Sequence, residues 1–294
     1  MKKILLTMIF FISALSLTTA NDLDLENLKG KVASVIEECR PLVLKFGIWV
    51  VSNEPYDHVW KSYKRSTSYN ELGNISEYIN YNDDGTMCWS YIYNYSEQGL
   101  LIDLSEYSSD GSLNIKTIST YDSNGNLTEK DRYNGEGDLL KHFAYTGDIK
   151  DIRRITTYSS DGTVDCLITE KYNIKGNIEE KILYNANGSF EAKWTYSYDN
   201  LGHLIEDTDY YENQFTITWG HFYTYDELGN RIGIAQYGDD RIPYSKSIYT
   251  YEYDSWGNWV KRIESEQVVK FGKTYFEPQR QTTRIITYYH TETK

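Results

Sequence analysis

The side chains capable of acid–base, nucleophilic or metal chemistry are scattered through this sequence. Its five histidines, His58, His142, His203, His221 and His290, form no His-x-x-x-His pair, no Cys/His cluster at zinc spacing and no nucleophile elbow, so the local pattern supports neither a zinc centre nor a catalytic triad. Cys39, Cys88 and Cys166 are too few and too far apart for a disulfide framework. Their odd number leaves at least one thiol free, and spacing alone does not select a pair. The 43 acidic residues guarantee coincidental carboxylate pairs, so a polysaccharide hydrolase stays as an alternative without a named pair.

Two residue sets point to binding instead. Asp83, Asp84, Asp110, Glu136 and Asp161 recur beside glycines that fall on one side of a repeat. Such a row offers carboxylates and turn carbonyls to Ca²⁺, but the GGxGxD pattern of calcium-binding β-rolls is missing, and Asp before Gly is good turn chemistry by itself. No cofactor other than this calcium candidate is expected. The second set is aromatic, since Tyr and Trp rings carry an apolar face and a polar edge that suit sugars and proteins. Tyr78 and Phe222 fall opposite the anchor tyrosine of their runs, and Trp256 falls in a turn, so these three are expected on the surface as binding residues.

The elements that must position these groups come from a repeat. A tyrosine, a small polar residue, two variable residues and a glycine recur twelve times, beginning at Tyr69, Tyr81, Tyr95, Tyr107, Tyr121, Tyr133, Tyr158, Tyr172, Tyr184, Tyr198, Tyr225 and Tyr253. The first spacings alternate between 12 and 14, so the unit is a dyad of 26 residues. Interruptions at Tyr145-Thr146-Gly147, Tyr211 and Tyr237-Gly238 mark places for irregular loops. The glycine supplies the positive φ of a tight turn, and the polar residue after the tyrosine bonds the turn backbone. Between turns, runs such as Met87 to Tyr95 and Phe190 to Tyr198 alternate apolar and polar residues, the period of a half-buried strand. Met87, Trp89, Tyr91, Tyr93 and Tyr95 share one face. About 16 strands at about 4.8 Å would span roughly 77 Å, too wide for an open twisted sheet. The expected fold is therefore all-β, an antiparallel hairpin meander rolled over its aromatic face.

Composition agrees. Twenty-nine tyrosines with four prolines in 294 residues argue for strands over a helical bundle. Lys2 and Lys3 before the apolar stretch Ile4 to Leu17, followed by Thr18-Thr19-Ala20, read as a signal peptide over residues 1–20. After cleavage no integral membrane segment is expected, and with no cysteine before Cys39 lipid anchoring has no support; the protein is expected to be periplasmic or secreted. The mature chain would carry 28 basic and 43 acidic residues, which opposes nucleic-acid binding. Residues 21–60 form an N-terminal flank of edge strands. Within it Leu25 to Cys39 reads as strand, though its apolar spacing is also helical, and Arg40 to Trp60 reads as a connection. The repeats occupy 61–263. Residues 264–294 form closing strands, with Phe271 to Gln281 as a connecting stretch; both flanks are positioned to cover sheet edges.

Tyr121-Asp122-Ser123-Asn124-Gly125-Asn126-Leu127, Tyr225-Asp226-Glu227-Leu228-Gly229-Asn230-Arg231 and Tyr253-Asp254-Ser255-Trp256-Gly257-Asn258 resemble the tyrosine-aspartate, or YD/RHS-type, repeats of exported bacterial proteins. The resemblance spans roughly residues 60 to 263. It implies spiralling β-strips, sometimes a shell around a toxin and sometimes carbohydrate binding or cell-surface contact, and it supplies no catalytic residues. Toxin-encapsulating members are far longer, so a complete cage is not expected. The resulting expectation is a non-enzymatic repeat protein presenting a β-surface to a carbohydrate or an envelope protein, the alternatives being the hydrolase above and a purely structural envelope component.

Overall fold

The computed structural model describes residues 21–52, 63–147, 152–211 and 215–289; the expected leader, Pro55, His58, Trp60 and His290 lie outside them. A single-turn helix α1 (Asp22–Leu25) precedes nineteen strands: β1 (Val32–Lys45), β2 (Ile48–Val51), β3 (Tyr63–Tyr69), β4 (Ile75–Tyr81), β5 (Met87–Tyr95), β6 (Leu101–Ser108), β7 (Leu113–Tyr121), β8 (Leu127–Asn134), β9 (Leu139–Gly147), β10 (Ile152–Ser159), β11 (Val164–Tyr172), β12 (Ile178–Asn185), β13 (Phe190–Tyr198), β14 (Leu204–Tyr210), β15 (Trp219–Tyr225), β16 (Arg231–Tyr237), β17 (Pro243–Tyr253), β18 (Trp259–Lys270) and β19 (Lys273–Tyr288). From β3 to β19 each strand pairs antiparallel with the next. β1 pairs with both β19 and β3, so eighteen strands close into a barrel. β2 folds back on the protruding end of β1.

The turns explain the meander. In the first, the Asn70 amide donates to the Asn74 carbonyl and the Gly73 amide to the Asn70 carbonyl, a type I turn closed by a left-handed bulge residue. All twelve repeat glycines have φ between 80° and 96°. Each turn also shifts the register by one residue at its tyrosine. The repeat spacing is even and the bulge inserts one residue, so the tyrosines of successive turns point to opposite faces. This corrects the assumption that every anchor tyrosine marks the same face.

Eighteen strands spaced about 4.8 Å apart and tilted about 40° enclose a barrel about 36 Å across, too wide for its own side chains to fill. The burial pattern agrees, since β8 and β12 contain no fully buried residue on either face. The apolar cluster is local: Leu23, Leu28, Val32, Val35, Tyr69 and Ile75, backed by Tyr93, Ile286 and Tyr288.

That cluster seats a strap formed by residues 21–30. Asn21 caps α1 in a capping box with Asp24. Its side chain donates to the Leu72 carbonyl at 2.8 Å, the Asn27 side chain donates to the Leu228 carbonyl at 2.9 Å, and Lys29 exchanges two hydrogen bonds with the Asn258 side chain. The strap thus joins three turns of one rim.

The flanks differ from expectation in detail. Asp22–Leu25 is helical and strand begins only at Val32, because Asn21 and Asp24 satisfy the first-turn amides and Gly30, at φ 79°, breaks the chain direction. Arg40 to Lys45 continues β1 and residues 48–51 form β2, while Phe271-Gly272 is a tight turn leading straight into β19. Within the described residues, neither stretch is a connection.

Candidate functional site

Register followed round the ring places Glu37, Arg65, Asn80, Trp89, Tyr91 and Glu106 on one face. The strap lies on that face as a chord between distant turns, with Leu23 and Leu28 against Val35, Tyr69, Tyr93 and Ile286, so this face is the concave lumen. The lumen is lined by aromatic, acidic and basic side chains.

One wall is acidic and aromatic. Asp207 on β14 accepts from the His221 amide at 3.0 Å and from the Tyr223 hydroxyl at 3.0 Å, and its Oδ1 lies 2.9 Å from His221 Nδ1. Two residues on, Asp209 is buried and accepts from the Tyr211 hydroxyl at 3.3 Å. Burial, reinforced by the charge of Asp207, pushes the Asp209 carboxyl up to about 6 against the opposing hydrogen bonds of Tyr211 and Trp194. Trp194 on β13 meets Tyr211 edge-on at 6.2 Å, and Trp219 on β15 meets His221 edge-on at 5.0 Å. The arrangement puts the raised carboxyl of Asp209 beside Asp207, which is held by the His221 amide and the Tyr223 hydroxyl, between indole rings. Alternation in the run Asp207-Thr208-Asp209, beside the repeat that lacks its glycine at Tyr211, was the available sequence signal; the sequence reading did not use it.

A second wall is basic. Glu37 accepts from Tyr63, Arg65 and Arg284; burial pushes its carboxyl up, but the two guanidinium charges and the Tyr63 hydroxyl outweigh this and hold it below the usual carboxylate value. Arg280 pairs with Glu264. Arg284 lies 3.5 Å over the Trp259 ring. On a third stretch, burial and then the nearby Arg153 charge lower the Lys130 ammonium to about 8.

The residues expected on the surface divide. Tyr78 lies in the lumen, stacked on Trp89 at 5.3 Å and 16°, because the bulge at Tyr81 reverses the face of β4. Phe222 lies on the outer face but is not free, being stacked on Tyr237 at 4.5 Å beneath Arg241. Trp256 is 55% exposed and stacks on Tyr288 at 5.3 Å. The three do not converge. The acidic row lies along one rim, but Asp84, Asp110 and Asp161 each accept from the amide and hydroxyl of the Thr or Ser two residues later. Turns on one rim stand two strands apart, about 9.6 Å, so Asp83, Asp84, Asp110, Glu136 and Asp161 do not meet as one ligand set. Among the described residues no group of three or more His, Cys, Asp or Glu is placed to hold a metal.

No protein-family model matches the chain. Over 143 residues, 43% of its length, it is 26% identical to the tRNA3(Ser)-specific nuclease WapA of Bacillus spizizenii, of which it spans only 6%. Among solved structures it is similar to a porin-like protein of Bacteroides uniformis, at 9% identity and a TM-score of 0.46, covering 88% of this chain and 98% of that one. It is also similar to part of the Photorhabdus luminescens Tc holotoxin pore, at 12% identity and a TM-score of 0.17, covering 82% of this chain and 18% of that one.

Proposed function

We propose that this chain is a non-enzymatic, exported YD/RHS-type protein of the bacterial envelope that binds carbohydrate inside its barrel. The observation that carries the reading is the contrast between the two faces. Inside, hydrogen-bonded carboxylates lie between Trp and Tyr rings, the chemistry that sugars use. Outside, Lys116, Asp131, Glu180, Lys193 and Lys246 sit on the opposite face within the strands. A lipid-embedded barrel needs an apolar outer band, so these charges favour a barrel in water, periplasmic or secreted. Export is supported by the leader. Cleavage before Asn21 would leave a terminal amine at the position where the Asn21 nitrogen donates to Asp24 at 3.2 Å. An envelope protein in place of a sugar, and a purely structural role, are the other outcomes of the test.

A second reading has one observation in its favour. Asp209, with its carboxyl raised to about 6 beside Asp207, has the environment of a general acid, which would make the lumen a polysaccharide hydrolase site. Glycan-array binding run together with a reducing-sugar release assay separates the readings. Binding without sugar release is expected. Release that disappears in Asp209→Asn would establish the hydrolase, and an empty array would remove the carbohydrate reading.

A further inference from the structure

The luminal arginines are not alike. Arg65 and Arg284 are committed to Glu37 and Arg280 to Glu264, and Arg153 donates to the Leu127 carbonyl. Like Arg132 on the far side of the ring, Arg231 and Arg262 make no ion pair with any described residue. Instead they share one ring: Arg231 lies 5.4 Å over Tyr249 and 5.6 Å over Tyr223, and Arg262 lies 5.4 Å over Tyr249 and 5.1 Å over Trp259. The partners of the Arg262 guanidinium are neutral, the Thr282 hydroxyl at 3.5 Å and Tyr251, and its Nε is buried with no acceptor.

We infer that Arg231 and Arg262 form a subsite in the barrel for the carboxylate of an acidic oligosaccharide. This deepens, and rests on, the carbohydrate reading above. A guanidinium presents five donors in a fork that matches a planar carboxylate, and a buried donor left unpaired favours whatever acceptor can reach it. Luminal carboxylates around the pair are already engaged, Glu264 and Glu37 by other arginines and Asp207 by His221 and Tyr223, so the pair keeps its positive charge within a chain of net charge −13. Of the rings around the two forks, Tyr249 and Trp259 are buried beneath guanidinium groups, which leaves the part-buried Tyr223 ring as the face on which a pyranose can lie. Aromatic faces beside forked donors select a sugar acid over a bare anion.

The test is calorimetric titration with a uronic-acid trisaccharide, trigalacturonate, and with the same trisaccharide after reduction of its carboxyl groups, so that only the carboxylates differ. The wild-type protein should bind the acidic form at least about tenfold more tightly, the scale of a charge-assisted bidentate contact. Arg231→Gln and Arg262→Gln should each remove most of that preference while leaving affinity for the reduced sugar within about twofold. Arg262→Lys keeps the charge over Tyr249 and Trp259 but loses the fork, and should retain only part of the preference; it also serves if Arg262→Gln fails to fold. Equal binding of the two sugars by the wild-type, or a preference that survives both glutamine variants, overturns the subsite and leaves luminal carbohydrate binding standing. Binding of neither sugar also overturns it, and the glycan array then decides whether the carbohydrate reading falls as well.

Discussion

The two rims of the barrel are built from the same repeat and use it differently. On the strapped rim the residue after the tyrosine holds the turn: Asp122, Asp199, Asp226 and Asp254 each accept from the amides two and four positions on. The tyrosines point into the lumen, where Tyr95, Tyr121, Tyr198 and Tyr225 donate to the carbonyls of Ile75, Leu101, Ile178 and Leu204 at 2.8 to 2.9 Å. Each hydroxyl fastens its turn to the start of the strand leaving the preceding turn on that rim. On the open rim the holder is the residue before the glycine at Asp84, Asp110, Asp161 and Asn187, Asn134 being an exception that holds its turn as on the strapped rim, and Tyr81, Tyr107, Tyr133 and Tyr184 fall on the outer face. The 26-residue dyad is therefore one stapled turn and one free turn. A one-residue bulge at each turn is what separates them.

Outside the luminal wall, the largest expected effect tests the strap. Gly73 and Gly85 have the same left-handed backbone, φ 84° and 85°, but a Cβ on Gly73 would lie 2.5 Å from the Asn21 side chain whereas one on Gly85 meets nothing. Both Gly→Ala changes incur the strain of a left-handed residue, about 1 to 2 kcal/mol. Gly73→Ala should lose about 1 kcal/mol more, because Asn21 must abandon its cap. Chemical denaturation of both variants, and of the Asn21→Ala/Gly73→Ala double mutant, checks this. In the double mutant the extra loss should not add a second time. Equal destabilisation of the two glycine variants would show that the strap is not seated on this rim.

The next effect belongs to the staples. Tyr121→Phe leaves the Leu101 carbonyl without its donor and should cost about 1 kcal/mol. Tyr107→Phe, on the open rim, removes a hydroxyl with no hydrogen bond among the described residues and should be nearly neutral. Burial of phenols, on the strapped rim and at Tyr237, sets the alkaline limit. Burial pushes the Tyr198 phenol to about 12, and burial together with Asp226 does the same for Tyr253. A phenol whose folded value is raised stabilises the fold fully below its unfolded value near 10, and that contribution is lost as pH rises through the folded value. Stability should thus fall between about pH 10 and 12. Absorbance at 295 nm should show a class of tyrosines that ionises only as the protein unfolds; a single transition near pH 10 with the fold intact would contradict the burial of these phenols.

Much of the fold was legible because it is local. Every repeat glycine, the strand runs and the antiparallel order follow from turn chemistry and a period of two; of the three interrupted repeats, the one at Tyr237 leads into the turn where Arg241 adopts φ 57° in place of glycine, and the stretches just after Gly147 and Tyr211 lie outside the described residues. The faces were less legible. Alternation within β5 correctly groups Trp89, Tyr91 and Tyr93, yet Tyr78 was misplaced, because the face of a strand depends on whether each turn carries an odd or even number of unpaired residues, and that depends on backbone geometry. Closure was only half legible. Sheet width requires rolling, but the pairing of β1 with β3 and β19 joins residues as far apart as Val32 and Tyr288. The luminal cluster at Asp207 and Asp209 was hidden for the same reason, since its aromatic partners come from neighbouring strands whose register no single run reveals.

The smallest expected effect on binding concerns Trp256, the turn residue that the sequence placed on the surface and that remains half exposed on the strapped rim. Its ring covers Tyr288, and the Cβ of a residue at position 30 would lie 3.0 Å from it, so it closes the seam where the strap enters β1. An aromatic pair of this kind contributes about 0.5 to 1.5 kcal/mol beyond its buried area, and at half exposure Trp256→Ala should cost about 1 kcal/mol. Trp194→Ala in the luminal wall should cost about 3 to 5 kcal/mol. For a ligand held inside the barrel, Trp256→Ala should leave the dissociation constant within about twofold, while Trp194→Ala, measured below its melting transition, should weaken binding about tenfold or more, since stacked aromatic contacts dominate such sites. Should Trp256→Ala abolish binding while Trp194→Ala spares it, the ligand sits on the strapped rim and not in the lumen, and Trp256 is the contact residue its place in the turn suggests.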